Sequence, residues 1–178
     1  MAEYQDVIMA GFGGQGVMLI GNLLAQAGME QGLEVSFIPV YGAEMRGGTA
    51  NCTIKVSDGA IASPYSKAPD IVCALNAPAV DKFESSIKPG GWLFINDSLV
   101  PKDRVCREDI NVVRVPMSEI AVECGNPKGA NLVLLGAVAA HTGLFKLDEL
   151  EEQVTEYFAR KGKINPKNSD CLYAGAKL

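Results

Sequence analysis

An α/β fold of three layers, with helices on both faces of a mostly parallel sheet, is what this chain predicts. Strand and helix signals alternate through its first half, and a glycine-rich turn joins the first strand to the first helix. Of its 178 residues 48% are hydrophobic and only 7% aromatic, a composition rich in small and aliphatic side chains. Such alternation builds a parallel sheet covered on both faces. The start is Rossmann-like, an antiparallel element is expected to be inserted after the second strand, and the length suits a single domain over residues 1–178.

The first strand is Asp6–Ala10, an apolar run that ends on glycine. Gln15–Gln31 follows as a helix in which Asn22, Gln26 and Glu30 leave one narrow polar stripe, so most of its surface is to be covered. Glu34–Val40 and Thr49–Val56 are the second and third strands, with no helix signal between Tyr41 and Asp70. Ser57-Asp58-Gly59 and Ala60-Ile61-Ala62 follow, and because Asp-Gly is a strong hairpin-turn pair, the antiparallel element is expected as a hairpin here. Asp70–Leu75, Gly91–Asn96 and Asn111–Val115 complete the strands, with helices at Pro78–Ser86 and Ser118–Cys124.

Lys128–Gly143 is an unusual helix, since Leu132 through Ala140 carries no polar residue on any face. Hiding it together with the first helix strains the interior of one small domain, so a second subunit is expected to cover part of this surface. Leu147–Lys161 is an ordinary amphipathic helix with Leu147, Leu150, Val154, Tyr157 and Phe158 on one face. Asp148 and Glu149 open it and Arg160-Lys161-Gly162 closes it, as the macrodipole and a glycine cap require. Asn165-Pro166 starts a last short helix.

A net charge of -5 with no basic run argues against nucleic acid as a partner. The longest apolar stretch is far below the roughly twenty residues that span a bilayer. The acidic N-terminus lacks the layout of a signal peptide, so no membrane and a cytoplasmic location are expected. The five cysteines, Cys52, Cys73, Cys106, Cys124 and Cys171, are scattered without a CxxC pair, which suits neither a metal site nor a disulfide framework. Cys52 and Cys73 fall inside apolar strands and read as buried hydrophobes, whereas Cys124 precedes a turn, where a reactive thiol would need a basic partner.

Gly11-Phe12-Gly13-Gly14-Gln15-Gly16 places a GxGxxG pattern between strand and helix. In that context a helix N-terminus offers unpaired N–H groups to an anion, and Gly13, Gly14, Gln15 and Gly16 are the candidate contacts. The bland alternative is that these glycines only let the helix pack closely on the strand. A dinucleotide reading needs an acid at the end of the second strand for the ribose hydroxyls. That strand has its acid, Glu34, at its start and ends in Pro39-Val40-Tyr41, so NAD and FAD are disfavoured.

Tyr41-Gly42-Ala43-Glu44-Met45-Arg46-Gly47-Gly48 follows directly, where an open α/β sheet presents its ligand crevice. Arg46 offers a planar fork for a phosphate or carboxylate, and Gly47 and Gly48 permit backbone approach. A Glu44–Arg46 pair that merely stiffens the loop is the competing reading. Asn126, Lys128 and Asn131, before the apolar helix, are further candidates that could equally cap it. His141, the single histidine, is expected to be a satisfied structural group.

Taken in order, Gly11–Gly16, Tyr41–Gly48 and Asn126-Pro127-Lys128-Gly129-Ala130-Asn131 before a long apolar helix closely resemble the gamma subunit of 2-oxoacid:ferredoxin oxidoreductases. The resemblance runs over nearly the whole chain and extends to the gamma domain of single-chain pyruvate:ferredoxin enzymes and the small subunit of indolepyruvate oxidoreductase. Members often carry proline where this chain has Ala43. The resemblance implies oxidative decarboxylation of a 2-oxo acid with coenzyme A to acyl-CoA, carbon dioxide and reduced ferredoxin. Thiamine diphosphate, Mg and iron–sulfur clusters would lie in alpha, beta and in some cases delta partner subunits, and ferredoxin would meet the complex. This chain would bind no cofactor alone, have no catalytic residue or metal, and be inactive alone. Its part would be support of the active-site assembly and a share in handling coenzyme A, with 2-oxoglutarate the acid that general likeness suggests. An independent nucleotide-binding redox or regulatory Rossmann-like protein is the alternative.

Overall fold

In the computed structural model, which describes residues 4–42, 48–105 and 107–178, six strands form one sheet. They are β1 (Tyr4–Phe12), β2 (Glu34–Tyr41), β3 (Thr49–Ser57), β4 (Ile71–Ala74), β5 (Trp92–Asn96) and β6 (Asn111–Val115), in spatial order β2-β3-β1-β4-β5-β6. β1, β4, β5 and β6 run parallel, and β3 is antiparallel to both its neighbours, so β2 points the same way as β1. The mostly parallel sheet with an antiparallel insertion is therefore as expected. Its form is not.

The inserted element is β3 itself, wedged between β2 and β1 with Ile8 opposite Thr53 and Phe37 opposite Ile54. Residues 58–70 form no strand, and Ala60-Ile61-Ala62 makes no hairpin with β3. The reason is that both edges of β3 are already paired, which leaves a following strand no free hydrogen-bonding edge. The wedge also moves the end of β2 from one strand spacing to two, roughly 10 Å from β1. An acid there would stand too far from the glycine turn to serve a ribose.

The helices are α1 (Val17–Glu30), α2 (Ala77–Phe83), α3 (Met117–Glu123), α4 (Ala130–Thr142), α5 (Leu147–Arg160) and α6 (Lys167–Gly175). One face of the sheet is covered by α1 and α3 through α6, where Met9, Ile20, Ile54, Phe94, Leu134 and Leu172 join one apolar cluster. The other face carries α2 and short loops over Ile8, Val72, Leu93 and Ile95. This is the three-layer arrangement, with one thick layer and one thin.

Of the two helices whose apolar surface was expected to need a partner, α4 is covered within the chain by α6, while Met18, Leu19 and Met29 of α1 stay partly exposed. Leu132 through Val138 are at most 1% exposed within this chain alone, apart from the glycine among them, which is also buried. A Cβ on Gly136 would overlap the Leu172 carbonyl, and one on Gly175 would overlap the carbonyl of Val133. Two glycines thus let the helices cross backbone to backbone, and α6 covers α4 from within the chain. Among the described residues, no helix is long and apolar enough to cross a membrane.

Candidate functional site

The carboxyl ends of β1, β4, β5 and β6 lie at one edge of the sheet, and a crevice of about 490 Å³ opens there. Gly14, Gln15, Leu75, Asn96, Met117, Lys128 and Asn131 are among its walls. The glycine turn and the Asn126–Asn131 segment, over a hundred residues apart, meet across it. Lys128 is exposed and is the one charged group among the described lining residues.

The turn is built for close approach at two of its glycines. Gly14 has φ 100° and Gly16 φ 82°, both in the left-handed region that disfavours a side chain. A Cβ on Gly14 would meet nothing within 4 Å, so its need for glycine is conformational and its face is open. A Cβ on Gly16 would overlap the Asn131 amide nitrogen, so α4 presses its first turn directly on this turn. Gly16 makes no side-chain cap for α1, which leaves the N–H groups of its first turn to an external acceptor. The Gly13 N–H is spent otherwise, donating to the Gly48 carbonyl at 2.9 Å.

That bond joins the second motif to the first. Gly42 N–H donates to Thr49 O at 2.7 Å, closing the base of the loop after β2. A second groove of about 280 Å³ runs along the α1 side of the turn past Met18, Tyr41 and Gly48. Arg46 and Gly47, expected at the site, lie outside the described residues.

Gln15 lines the crevice, and its side chain is also engaged within the chain. Its Oε1 accepts from Phe12 N at 2.6 Å and from Asn76 Nδ2 at 3.3 Å, and its Nε2 donates to Leu75 O at 3.2 Å. The amide pins the ends of β1 and β4 together, and its side chain has its hydrogen bonds inside the protein. Gly11 is required by it, since a Cβ there would come within 2.6 Å of Gln15 Oε1.

Asn126 and Asn131 do not cap α4 with their side chains. Asn126 Nδ2 donates to Asn168 Oδ1 of α6 at 2.9 Å, so it ties the crevice wall to the last helix. Asn131 is 7% exposed and its Oδ1 is buried without a hydrogen-bond partner. An orphaned acceptor costs free energy, and Asn131 as a residue is part of the crevice wall.

Leu75, Asn76, Asn96, Met117 and Ser118 were not among the expected site residues. Asn96 Nδ2 donates to Leu75 O at 3.3 Å, and Asn76 Oδ1 accepts from Ala79 N at 2.9 Å to cap α2. Their signal was available, because each stands at or just beyond the carboxyl end of a strand, where an open α/β sheet binds ligands. His141 is also corrected. Its Nε2 is buried without a partner, and its ring packs 5.6 Å from Trp92 and 5.9 Å from Phe94. Cys52 and Cys73 are fully buried, as expected, and burial pushes the Cys52 thiol up to about 12 and the Cys73 thiol higher still.

Comparison with known proteins bears on this geometry. The family model for pyruvate ferredoxin/flavodoxin oxidoreductase matches residues 6–178. The ketoisovalerate oxidoreductase subunit VorA of Methanothermobacter marburgensis is 37% identical over 178 residues, covering 98% of this chain and 37% of that protein. The chain therefore spans little more than a third of that relative's length. The keto/oxoacid ferredoxin oxidoreductase gamma subunit of Geobacter sulfurreducens superposes with a TM-score of 0.77 at 27% identity, covering 97% of this chain and 96% of that one. The 2-oxoglutarate:ferredoxin oxidoreductase of Magnetococcus marinus, solved with 2-oxoglutarate, coenzyme A and succinyl-CoA bound, superposes with a TM-score of 0.86 at 25% identity. The match covers 99% of this chain and 31% of that chain.

Proposed function

Since this chain belongs to the pyruvate ferredoxin/flavodoxin oxidoreductase family, we propose that it is the gamma subunit of a 2-oxoacid:ferredoxin oxidoreductase. The complex would convert a 2-oxo acid and coenzyme A to acyl-CoA and carbon dioxide and pass the electrons to ferredoxin. The observation that carries the reading is the meeting of the Gly13–Gly16 turn and the Asn126–Asn131 segment across one strand-end crevice. Its size falls in the range of small-molecule sites, enough for part of a long ligand such as coenzyme A.

The residues fit such a ligand by their chemistry. The uncapped first turn of α1 offers N–H donors to a phosphate oxygen, with Gly14 open beside it. Lys128 supplies a cation, and Arg46 is the second one we assign. Asn131 belongs to the wall beside Lys128 and is a further polar contact we assign, while Asn126 ties that wall to α6. Gly48 sets the base of the Arg46 loop, and Gln15 holds the strand ends rigid. Coenzyme A supplies the thiol that takes the acyl group, while this chain binds and orients it.

Decarboxylation and electron transfer belong in this reading to alpha, beta and in some complexes delta subunits, which hold thiamine diphosphate, Mg and iron–sulfur clusters. The names of the relatives include ketoisovalerate and 2-oxoglutarate, so substrate choice is assigned to partner pockets. The cytoplasm is the compartment proposed. In the reconstituted complex, Lys128→Ala and Arg46→Ala are expected to raise KM for coenzyme A several-fold with kcat for the bound state little changed. An unchanged KM in both variants would leave the chain a purely architectural subunit. Tight NAD binding by the purified chain would instead support the independent nucleotide-binding alternative.

A further inference from the structure

We propose that Leu99 is a specificity-determining contact of the strand-end crevice, taking an apolar, uncharged segment of the ligand, and that Asn96 is the positioning residue that holds it there. The inference rests on the reading of this crevice as the coenzyme A site. Leu99 lines the crevice and is 55% exposed. Leu75 and Met117, the other large apolar residues among the described lining, are already buried. Only area still open to water contributes when a ligand covers it, so the apolar gain falls chiefly to Leu99.

A lone exposed leucine is ordinary on a protein surface. What sets this one apart is how firmly its loop is built. Asn96 is the last residue of β5, and its backbone carbonyl accepts from Leu99 N and Val100 N, both at 3.1 Å. Its Oδ1 accepts from Ser98 N at 3.2 Å, while its Nδ2 donates to Leu75 O at 3.3 Å, so one buried side chain serves both the loop and the crevice floor. The neighbours of Leu99 are anchored in turn. Val100 is buried in the apolar layer with Ile8 and Ile95, and Ser98 Oγ donates to Glu119 Oε2 of α3 at 2.5 Å. Asp97 N donates to Val115 O at 2.9 Å, and its carboxylate pairs with Arg114 at 2.8 Å.

Residues 97, 98 and 100 are thus each tied to the body of the protein, and Leu99 between them keeps its side chain at the crevice and open to water. A contact whose backbone is fixed before the ligand arrives loses less freedom on binding than one on a loose loop. The crevice then divides its work by chemistry. Lys128 and the uncapped first turn of α1 suit the charged end of a ligand, and Leu99 suits its uncharged stretch. Coenzyme A has both kinds of segment, phosphates at one end and a branched hydrocarbon within its pantetheine arm.

The test measures KM for coenzyme A in the reconstituted complex. Leu99→Ser changes an exposed side chain, so the chain should fold with its melting temperature little altered. KM should rise roughly three- to tenfold, and by the same factor at low and high ionic strength, because no charge is altered. Leu99→Met keeps the apolar volume and should restore it. Asn96→Ala should raise KM several-fold in the wild-type background but less than about twofold once Leu99 is serine, since a residue acting through Leu99 then has nothing left to position. Equal factors in the two backgrounds would make the part of Asn96 structural and overturn its assignment. An unchanged KM in Leu99→Ser would overturn the contact itself. Lys128→Ala assayed alongside tells the two failures apart, because a raised KM there leaves the coenzyme A reading standing. Poor assembly of the Leu99→Ser complex, with an unchanged KM in what assembles, would put Leu99 in a subunit contact and overturn the proposal as well.

Discussion

Replacing Gly16 by alanine tests how the glycine turn and α4 are coupled. The residue has φ 82° and ψ 18°, so an alanine there occupies the left-handed region at a cost of about 1–2 kcal/mol. Its Cβ would also overlap the Asn131 amide nitrogen and come within 3.0 Å of Asn131 Cγ and 3.4 Å of its Cβ. The last of these is ordinary contact, but the first two force a buried side chain off its rotamer for roughly another 1 kcal/mol. Urea denaturation of the chain should therefore show Gly16→Ala less stable by about 2–3 kcal/mol. In an Asn131→Ala background the overlap vanishes and only the backbone strain persists, so the cost should fall by about 1 kcal/mol. Asn131→Ala alone should cost little, since it removes an acceptor that has no partner. Equal costs of Gly16→Ala in the two backgrounds would refute the claim that α4 rests on the turn through Asn131.

Gly136→Ala gains roughly 1 kcal/mol of helix propensity, yet it drives a methyl into the Leu172 carbonyl. Overpacking against backbone should win, leaving a net loss of roughly 2 kcal/mol by urea denaturation. Gln15→Ala should cost about 2–4 kcal/mol, read by thermal unfolding, because Phe12 N–H and Leu75 O lose the partner that joins them. Lys55→Met should destabilise by roughly 3–5 kcal/mol, since Asp6, 3.4 Å away and buried, keeps an uncompensated charge. Burial alone would lower the Lys55 pKa, but its Tyr4 hydrogen bond and the Asp6 charge outweigh this and raise it above 10.5. Its contribution is thus full below pH 10.5 and lost as pH rises through the folded value, a loss that alkaline denaturation of wild type against Lys55→Met would display.

Much of the fold was legible because apolar periodicity survives in local sequence. Asn111–Val115 is the sixth strand at its expected bounds, and α5 at Leu147–Arg160 differs by one residue from its expected end. The Asp58-Gly59 signal failed for a non-local reason, since the turn preference is real only where a free strand edge waits beyond it. The candidate site was read with the same mixture. Gly14 and Gly16 stand in the conformations that demand glycine, whereas Gln15 points inward to carbonyl and amide groups sixty residues away.

By itself the sequence determined the alternation of elements, the turn that must be glycine and the want of a ribose-binding acid after β2. Those are local properties, set by side-chain size, backbone freedom and charge within a few residues. Only the tertiary structure decided that β3 separates β2 from β1, that Gly136 and Gly175 let α6 cover α4, and that the Gly16 turn rests against Asn131. Each joins residues distant in the chain, and their meeting depends on which edges and faces the rest of the fold leaves free.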